Sequence, residues 1–534
     1  MPSKPHSAKR LEVSKITVTE KVQQQQRFFC ENCRREVFLQ DKYCDKCGGE
    51  IEWPEKIQKV LTSWKKEDKK NESDSATFLH PTHVFLNGNI LTMDPARPSA
   101  EAIAVTGERI VAVGLNEEIE SLIGSSTTIT DPKGTTVLPG FIDCHIHLIE
   151  FGLSFRNIDL RGVQSVEEMK KHVTERSRSV ASWILGRGWD QERFAEKRYP
   201  TRQDLDEASP EKPVHLRRVC GHICVVNSAA LKQAGINAQT TDPAGGVIDR
   251  DAAGEPTGIL RETAVDLLDK AIPPLPPEDY EHATIAACRR ALEAGLTTVH
   301  CITSSELELK ALLDLKAARR LPLRFYIFIP VEQLTTARSI GLRSGLGDEW
   351  VRLGGLKIFT DGSLGARTAA LETPYADDPV NRGVTIYSQE QLNEIVAEAH
   401  RSDFQVAEHA IGDRAIGMSV EAIVKACSSA PKKDLRHRVE HASVLNPDLI
   451  QRIRRSGLIA SVQPHFIVSD FWVKRRLGEN RAAFTYPFSS LLRAGIMVVA
   501  GSDSPVEPLT PLSGIGAAVD RLDSEEAVSV EDAV

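Results

Sequence analysis

From residue 139 onward, short apolar runs alternate with stretches whose apolar residues recur every three or four positions. The first pattern reads as strand and the second as helix, because side chains repeat with period two in a strand and 3.6 in a helix. The strand-like runs are continuous rather than alternating, which suits parallel strands covered on both faces. They predict strands at 142–147, 297–301, 323–329, 356–360, 405–409, 438–441, 458–462 and 497–501, with helices between them, for example at 307–319 and 391–401. Eight such units predict an α/β fold, a (β/α)8 TIM-like barrel. The stretch 148–285 between the first two strands exceeds any ordinary connection. It is expected to be an insertion with its own structure, covering the barrel mouth.

Ahead of the barrel the pattern changes. Residues 82–138 read as a small β-rich domain, with a strand, turn and strand from Val84 and a hairpin from Ala102-Ile-Ala-Val through Thr106-Gly-Glu to Arg109-Ile-Val-Ala-Val-Gly. Residues 53–81 are a charged linker with a short helix at 56–64, and 1–27 a disordered tail ending in a glutamine run. Between them, in 28–52, lie Cys30-Glu-Asn-Cys33 and Cys44-Asp-Lys-Cys47. Two such knuckles place four thiolates around one ion, so Cys30, Cys33, Cys44 and Cys47 predict a structural zinc in a zinc ribbon. So small a segment takes its folding energy from the metal. The ribbon suits protein docking or homo-oligomerisation.

The chain has 534 residues, of which 41% are hydrophobic, and a formal charge of −8. This balance points to neither a nucleic-acid nor a membrane partner. No run approaches the roughly 18 apolar residues of a membrane span, and the N-terminus lacks the apolar core of a secretory signal. Six of the ten cysteines are scattered among apolar neighbours, as reduced core thiols of a cytoplasmic protein would be.

Candidate chemistry sits at the ends of the predicted strands. His145 and His147, one residue apart in Leu138-Pro-Gly-Phe-Ile-Asp-Cys-His-Ile-His, leave the first strand on one face. The fourth strand carries Lys357, the fifth ends in His409, the sixth in His441, and Asp503 follows the eighth. A barrel of this type works at the C-terminal ends of its strands. Metal-type side chains collected there predict a divalent cation site. His300 and His465 lie near strand ends as satisfied polar groups, and His437 faces away from the cation site. His172, His215, His282 and His400 have no placement that suggests chemistry.

These stretches, with Gly186-Arg-Gly-Trp-Asp-Gln, Gly221-His-Ile-Cys-Val-Val-Asn-Ser-Ala-Ala-Leu, Lys357-Ile-Phe-Thr-Asp-Gly-Ser-Leu-Gly-Ala-Arg-Thr, Glu408-His-Ala-Ile-Gly-Asp, Arg436-His-Arg-Val-Glu-His-Ala and Gly501-Ser-Asp-Ser-Pro-Val, resemble the metal-dependent amidohydrolase superfamily over 82–534. The nearer resemblance is to its amidohydrolase family 3 branch, which includes N-substituted formamide deformylases. It implies that His145 and His147 hold one metal ion and His409 and His441 a second. Lys357 would bridge them as a carboxylated lysine, and Asp503 would touch the metal, take a proton from its water and later pass it to the leaving nitrogen. It implies one or two divalent ions, zinc foremost, and attack of the activated water on a non-peptide carbon–nitrogen bond of amide or N-formyl type in a small molecule. His222 would reach over the barrel and hydrogen-bond the substrate or a developing oxyanion. Trp189, Asp190, Asp361 and Arg367 are weaker candidates for substrate binding. Relatives continue past a last helix into strands that complete the β-rich domain, so an incomplete domain is expected here. A deaminase of an amino-substituted heterocycle and a non-catalytic binding scaffold are the alternatives.

Overall fold

The computed structural model describes residues 80–534 except 180–181, 219–222, 244–245, 263, 432–434 and 522–524, and the backbone of two short strands, Phe28–Phe29 and Glu36–Val37, which pair antiparallel. The four ribbon cysteines and His222 lie outside the described residues. The chain divides into two compact units, Met1–Pro139 and Gly140–Val534. No described helix is long and apolar enough to cross a membrane.

In the first unit, Ala102–Thr106 and Arg109–Gly114 form an antiparallel hairpin, turned at Gly107 with φ +59°. His83–Phe85 pairs with Ala102–Thr106 on one side and Thr128–Thr130 on the other. Val84, Ala102, Ala104 and Ile119 are buried beneath this sheet, whereas Ile110, Val111 and Ile129 are exposed.

The second unit is an α/β fold built on a nearly closed barrel of eight parallel strands. In order around it these are β1 (Phe141–Ile146), β2 (Leu296–Ile302), β3 (Arg324–Pro330), β4 (Val351–Phe359), β5 (Gln405–Ala410), β6 (Arg438–His441), β7 (Ile459–Val462) and β8 (Val498–Ala500). Each lies within a few residues of its predicted position. Outward-facing side chains such as Val299, Ile327, Leu356, Val406 and Val439 pack on Ala287, Leu312, Val396, Ile423 and Ile453 of the surrounding helices. Helix starts are set by local chemistry: Ser305, Ser388 and Asn446 each cap a following helix by accepting a backbone N–H with the side chain. Inside the barrel a smaller cluster, Ile302, Phe328 and Ala407, fills the space below the strand ends.

No ladder joins β8 to β1 among the described residues. Backbone bonds just beyond β8 close the gap instead. Asp503 N–H donates to the His145 carbonyl (2.7 Å), and His147 N–H donates to the Ser504 carbonyl (2.9 Å). The Asp143 carboxylate accepts N–H bonds from both Ser502 (3.0 Å) and His145 (3.1 Å). Gly501 is required at this seam, since a Cβ there would lie 2.4 Å from the His145 nitrogen.

Residues between β1 and β2 hold a sheet of six strands: Ile158–Asp159, Ile184–Trp189, Val214–Arg218, Ile223–Val226, Pro256–Glu262 and Gly246–Arg250, in that spatial order. The first three run parallel and the remainder antiparallel. One face buries Trp189, Phe194, Leu205 and Leu216, and the other Cys224, Val226, Leu260 and Leu268.

Candidate cation site at the barrel mouth

β1 presents Asp143, His145 and His147 on one face because alternate residues share a side. β6 departs from that rule. Arg438 and Glu440 share the interior face, so His441 would point outward in a regular strand. Its φ of +72° reverses this. The His441 ring thereby lies 4.9 Å from the His145 ring and 4.4 Å from that of His409. A left-handed backbone at a non-glycine residue costs on the order of 1–3 kcal/mol and collects at functional sites.

Lys357 Nζ lies 3.3 Å from His145 Nε2. Asp503 Oδ1 lies 3.3 Å from the same nitrogen and 3.5 Å from His147 Nε2. The structure therefore gathers all six predicted side chains at the C-terminal ends of β1, β4, β5, β6 and β8. One ligand atom from each of His145, His147 and Asp503 fits within 4.8 Å of the others.

Beneath them runs a buried chain of charged and polar groups. His145 Nδ1 donates to Glu440 Oε2, and Arg438 Nε donates to Glu440 Oε1 at 2.6 Å. Arg438 also donates to His300 Nδ1 (2.9 Å) and to the Cys144 carbonyl (2.8 Å), and its guanidinium lies over the Phe328 ring, 4.6 Å from the centroid. The carboxylate fixes the proton of His145 on Nδ1, so the Nε2 lone pair faces Asp503. Two electron-rich atoms facing each other at 3.3 Å are a setting that a cation relieves. His147 Nδ1 and His441 Nδ1 are buried without hydrogen-bond partners, as are Ser461 Oγ, Gln463 Oε1 and Ser504 Oγ from neighbouring strand ends. Unsatisfied buried polar atoms are costly and rare. The donor set thus fits a divalent cation.

Electrostatics follow from burial. Desolvation pushes the Lys357 ammonium down to about 8, opposed by Glu440 and Asp503. Burial, then the Lys357 charge, pushes His409 down to about 3, and burial with the His409 charge holds His441 well below the usual range. These imidazoles are neutral, as ligands must be. Burial works to raise Asp503, but its imidazole neighbours His145, His147 and His441 outweigh it and hold the carboxyl well below the usual range.

The other candidates fall elsewhere. Asp361 is buried beside the site, where it accepts N–H bonds from Ala370 (2.9 Å), Ile411 (3.0 Å) and Gly412 (2.9 Å) and lies 3.5 Å from His409 Nε2. It braces the loops after β4 and β5. Arg367 forms a two-pronged pair with Asp377. Trp189 does not reach the group: it is wholly buried in the inserted sheet, with Nε1 donating to the Leu216 carbonyl (2.8 Å). Asp190 pairs with Arg218 at 2.6 Å. At the opposite end of the barrel, His437 Nε2 bonds His400 Nδ1 (2.9 Å), while its Nδ1 accepts the Val406 N–H. Both lone pairs there are already in use, so this pair is read as structural.

Sequence reading passed over Arg438 and Glu440. Their signal was present: opposite charges two residues apart on a strand otherwise buried in an apolar barrel. His465, expected as a satisfied polar group, has its Nδ1 bonded to Glu507 Oε2 at 2.5 Å.

Residues 128–534 match the amidohydrolase family. The chain is 38% identical to YtcJ of Bacillus subtilis (strain 168), over 83% of this chain and 84% of the relative. It is 28% identical to the N-substituted formamide deformylase of Arthrobacter pascens, over 84% and 87%, a more distant likeness. Among solved structures it is similar to an uncharacterized metal-dependent hydrolase from Pyrococcus furiosus, at 34% identity and a TM-score of 0.73, covering 84% of this chain and 92% of that one. Fold, site and matches together define a hydrolase of the barrel type. The chain belongs to the amidohydrolase family.

Proposed function

We propose that this protein hydrolyses a non-peptide carbon–nitrogen bond, of amide or N-formyl type, in a small molecule. The observation that carries this reading is the placement of an ionised Asp503 against His145 and His147, with Lys357, His409 and His441 around them. His145, His147, His409 and His441 would hold one or two divalent ions, with zinc favoured by the imidazole-rich set. A divalent cation makes a water nucleophilic near neutral pH and polarises a carbonyl. Asp503 takes the proton that the water loses on attack. Lys357, buried and partly neutral at pH 8, suits addition of carbon dioxide to give a bridging carbamate. Glu440 keeps His145 in the tautomer that presents Nε2. His222 is the candidate donor to the substrate or the oxyanion.

The test is a panel of N-formyl, N-acyl, carbamate, hydantoin and lactone compounds, run with elemental analysis of the purified protein. Amine release from N-acyl or N-formyl compounds, with at least one zinc beyond any bound by Cys30, Cys33, Cys44 and Cys47, is expected. Release of ammonia from aminated rings, and none of amine, would replace this reading with a deaminase. Barrel residues that bind no metal and turn over nothing would replace it with a binding scaffold.

A further inference from the structure

The barrel mouth has two chemically different sides. On one stand Asp503, just past β8, and the β1 pair His145 and His147, with Asp503 Oδ1 at 3.3 and 3.5 Å from their Nε2 atoms. β4 lies four strands from β8 in the order of the barrel, and so across it. Alternate residues of β4 face inward, so Phe359 follows Lys357 on the same face and ends the strand at the mouth. The Phe359 ring lies 5.3 Å from the His409 ring between centroids, and Lys357 Nζ lies 4.9 Å from its centre. The phenyl therefore borders two members of the cation group.

Phe359 is 45% exposed, whereas Ile302 and Phe328, deeper in the barrel, are buried. A single exposed phenyl on an outer surface needs no explanation. This one stands where substrate must come, and an apolar ring gains free energy roughly in proportion to the area from which water is removed. A second ring extends the wall. Phe466, in the short helix Phe466–Ser469 after β7, lies 6.3 Å from the His441 ring, which is 4.4 Å from that of His409. Phe466 stacks on the buried Tyr486 with 9° between the planes, so it is held from behind. Phe359, His409, His441 and Phe466 thus form a row of rings from β4 to the end of β7. The loops after β1 and β2 have the opposite character: there the Ser304 hydroxyl donates to the Glu150 carboxylate.

We infer that the acyl half of the substrate carries an apolar group, such as a phenyl ring, that packs on Phe359; this rests on the hydrolase reading above and, within it, selects amides of apolar acids over N-formyl compounds. The carbon–nitrogen bond breaks with its electron pair on nitrogen, and nitrogen takes the proton that Asp503 received from the attacking water. The products are a carboxylic acid and an amine. For that transfer the nitrogen faces Asp503, on the β8 side. The remaining substituent of the same carbon is then directed across the mouth, over His409, to β4. A formyl hydrogen would leave the Phe359 ring in water, whereas an aryl or alkyl chain covers it. Ligand sites are commonly lined in this way, with apolar and aromatic walls around a few placed polar groups.

The experiment uses two isomers that differ only in which half bears the phenyl group, the N-methylamide of phenylacetic acid and the N-benzylamide of acetic acid, with the N-methylamide of acetic acid as the parent. Wild type is expected to favour the phenylacetic compound over both others by about tenfold or more in kcat/KM. Phe359→Ala should shrink the ratio of phenylacetic compound to parent by about tenfold, and Phe359→Leu, which keeps an apolar side chain, should restore most of it. Metal content and melting temperature, measured on both variants, should match wild type. Preference for the benzylamide, equal rates on the two isomers, or cleavage of other panel amides but neither isomer would overturn the placement and leave the hydrolase reading intact. So would equal losses on phenylacetic compound and parent in Phe359→Ala, which would reduce the ring to packing on Lys357. A wild-type protein that cleaves no N-acyl or N-formyl compound at all would overturn both.

Discussion

Asp503 touches His145 twice: its backbone N–H donates to the His145 carbonyl at 2.7 Å, and its carboxylate oxygen lies 3.3 Å from the His145 Nε2. One contact closes the barrel and the other belongs to the reaction. Asp503→Asn retains the first and removes the basic oxygen. Turnover is expected to fall by about 10²–10⁴-fold, with melting temperature nearly unchanged and most of the metal retained. Full activity in the variant, with metal still bound, would remove Asp503 as the base.

Glu440 is expected to matter through His145. Glu440→Gln frees the imidazole tautomer and leaves the buried Arg438 without its counter-charge. Breaking a buried pair costs about 3–5 kcal/mol, and loss of a ligand's supporting carboxylate costs about 10–100-fold in metal affinity. The double variant Arg438→Met with Glu440→Gln separates the two effects. Chemical denaturation should show stability largely regained, while chelator competition shows metal affinity still lowered. Recovery of both would make the pair purely structural.

Gly501 tests the seam. Gly501→Ala puts a methyl group 2.4 Å from a backbone nitrogen of β1, where no side chain can move aside. A melting-temperature loss together with loss of activity is expected. Gly516→Ala, in the helix Pro511–Val519 with nothing within 4 Å of the new carbon, is the control. It should gain up to about 1 kcal/mol from helix propensity.

Asp470 gives a pH signature away from the cation ligands. Burial raises its carboxyl to about 6, although Tyr486 Oη donates to it at 2.5 Å. In the unfolded chain such a group titrates near 3.9. The folded state therefore binds more protons between about pH 4 and 6, and stability falls as pH rises through that window. Asp470→Asn removes this dependence. Between pH 4 and 7 the stability of the variant relative to wild type should shift in its favour by about 2 kcal/mol, measured by denaturant titration. Parallel curves would refute the raised value.

The barrel was readable because its strands are continuous apolar runs ending in polar residues. The cation group was readable because strand ends of such a barrel share one face. His441 marks the limit. Spacing from Glu440 would turn it outward, and only its left-handed backbone brings it in, which no alternation rule contains. Arg438 and Glu440 were passed over since their meaning depends on Cys144, His145 and His300, distant in sequence. Trp189 marks a related limit. The motif around it drew attention to chemistry, whereas its ring serves the packing of the inserted sheet against Phe194 and Leu216.

The join between β8 and β1 has a wider implication. Its stitches, Asp143, His145, His147, Asp503 and Ser504, include the very residues that would grip the ion and move the proton. A chain whose two ends have drifted apart loses its ligand geometry at the same instant. Ion occupancy would then help hold this junction of the cylinder shut, and removing the ion would loosen it.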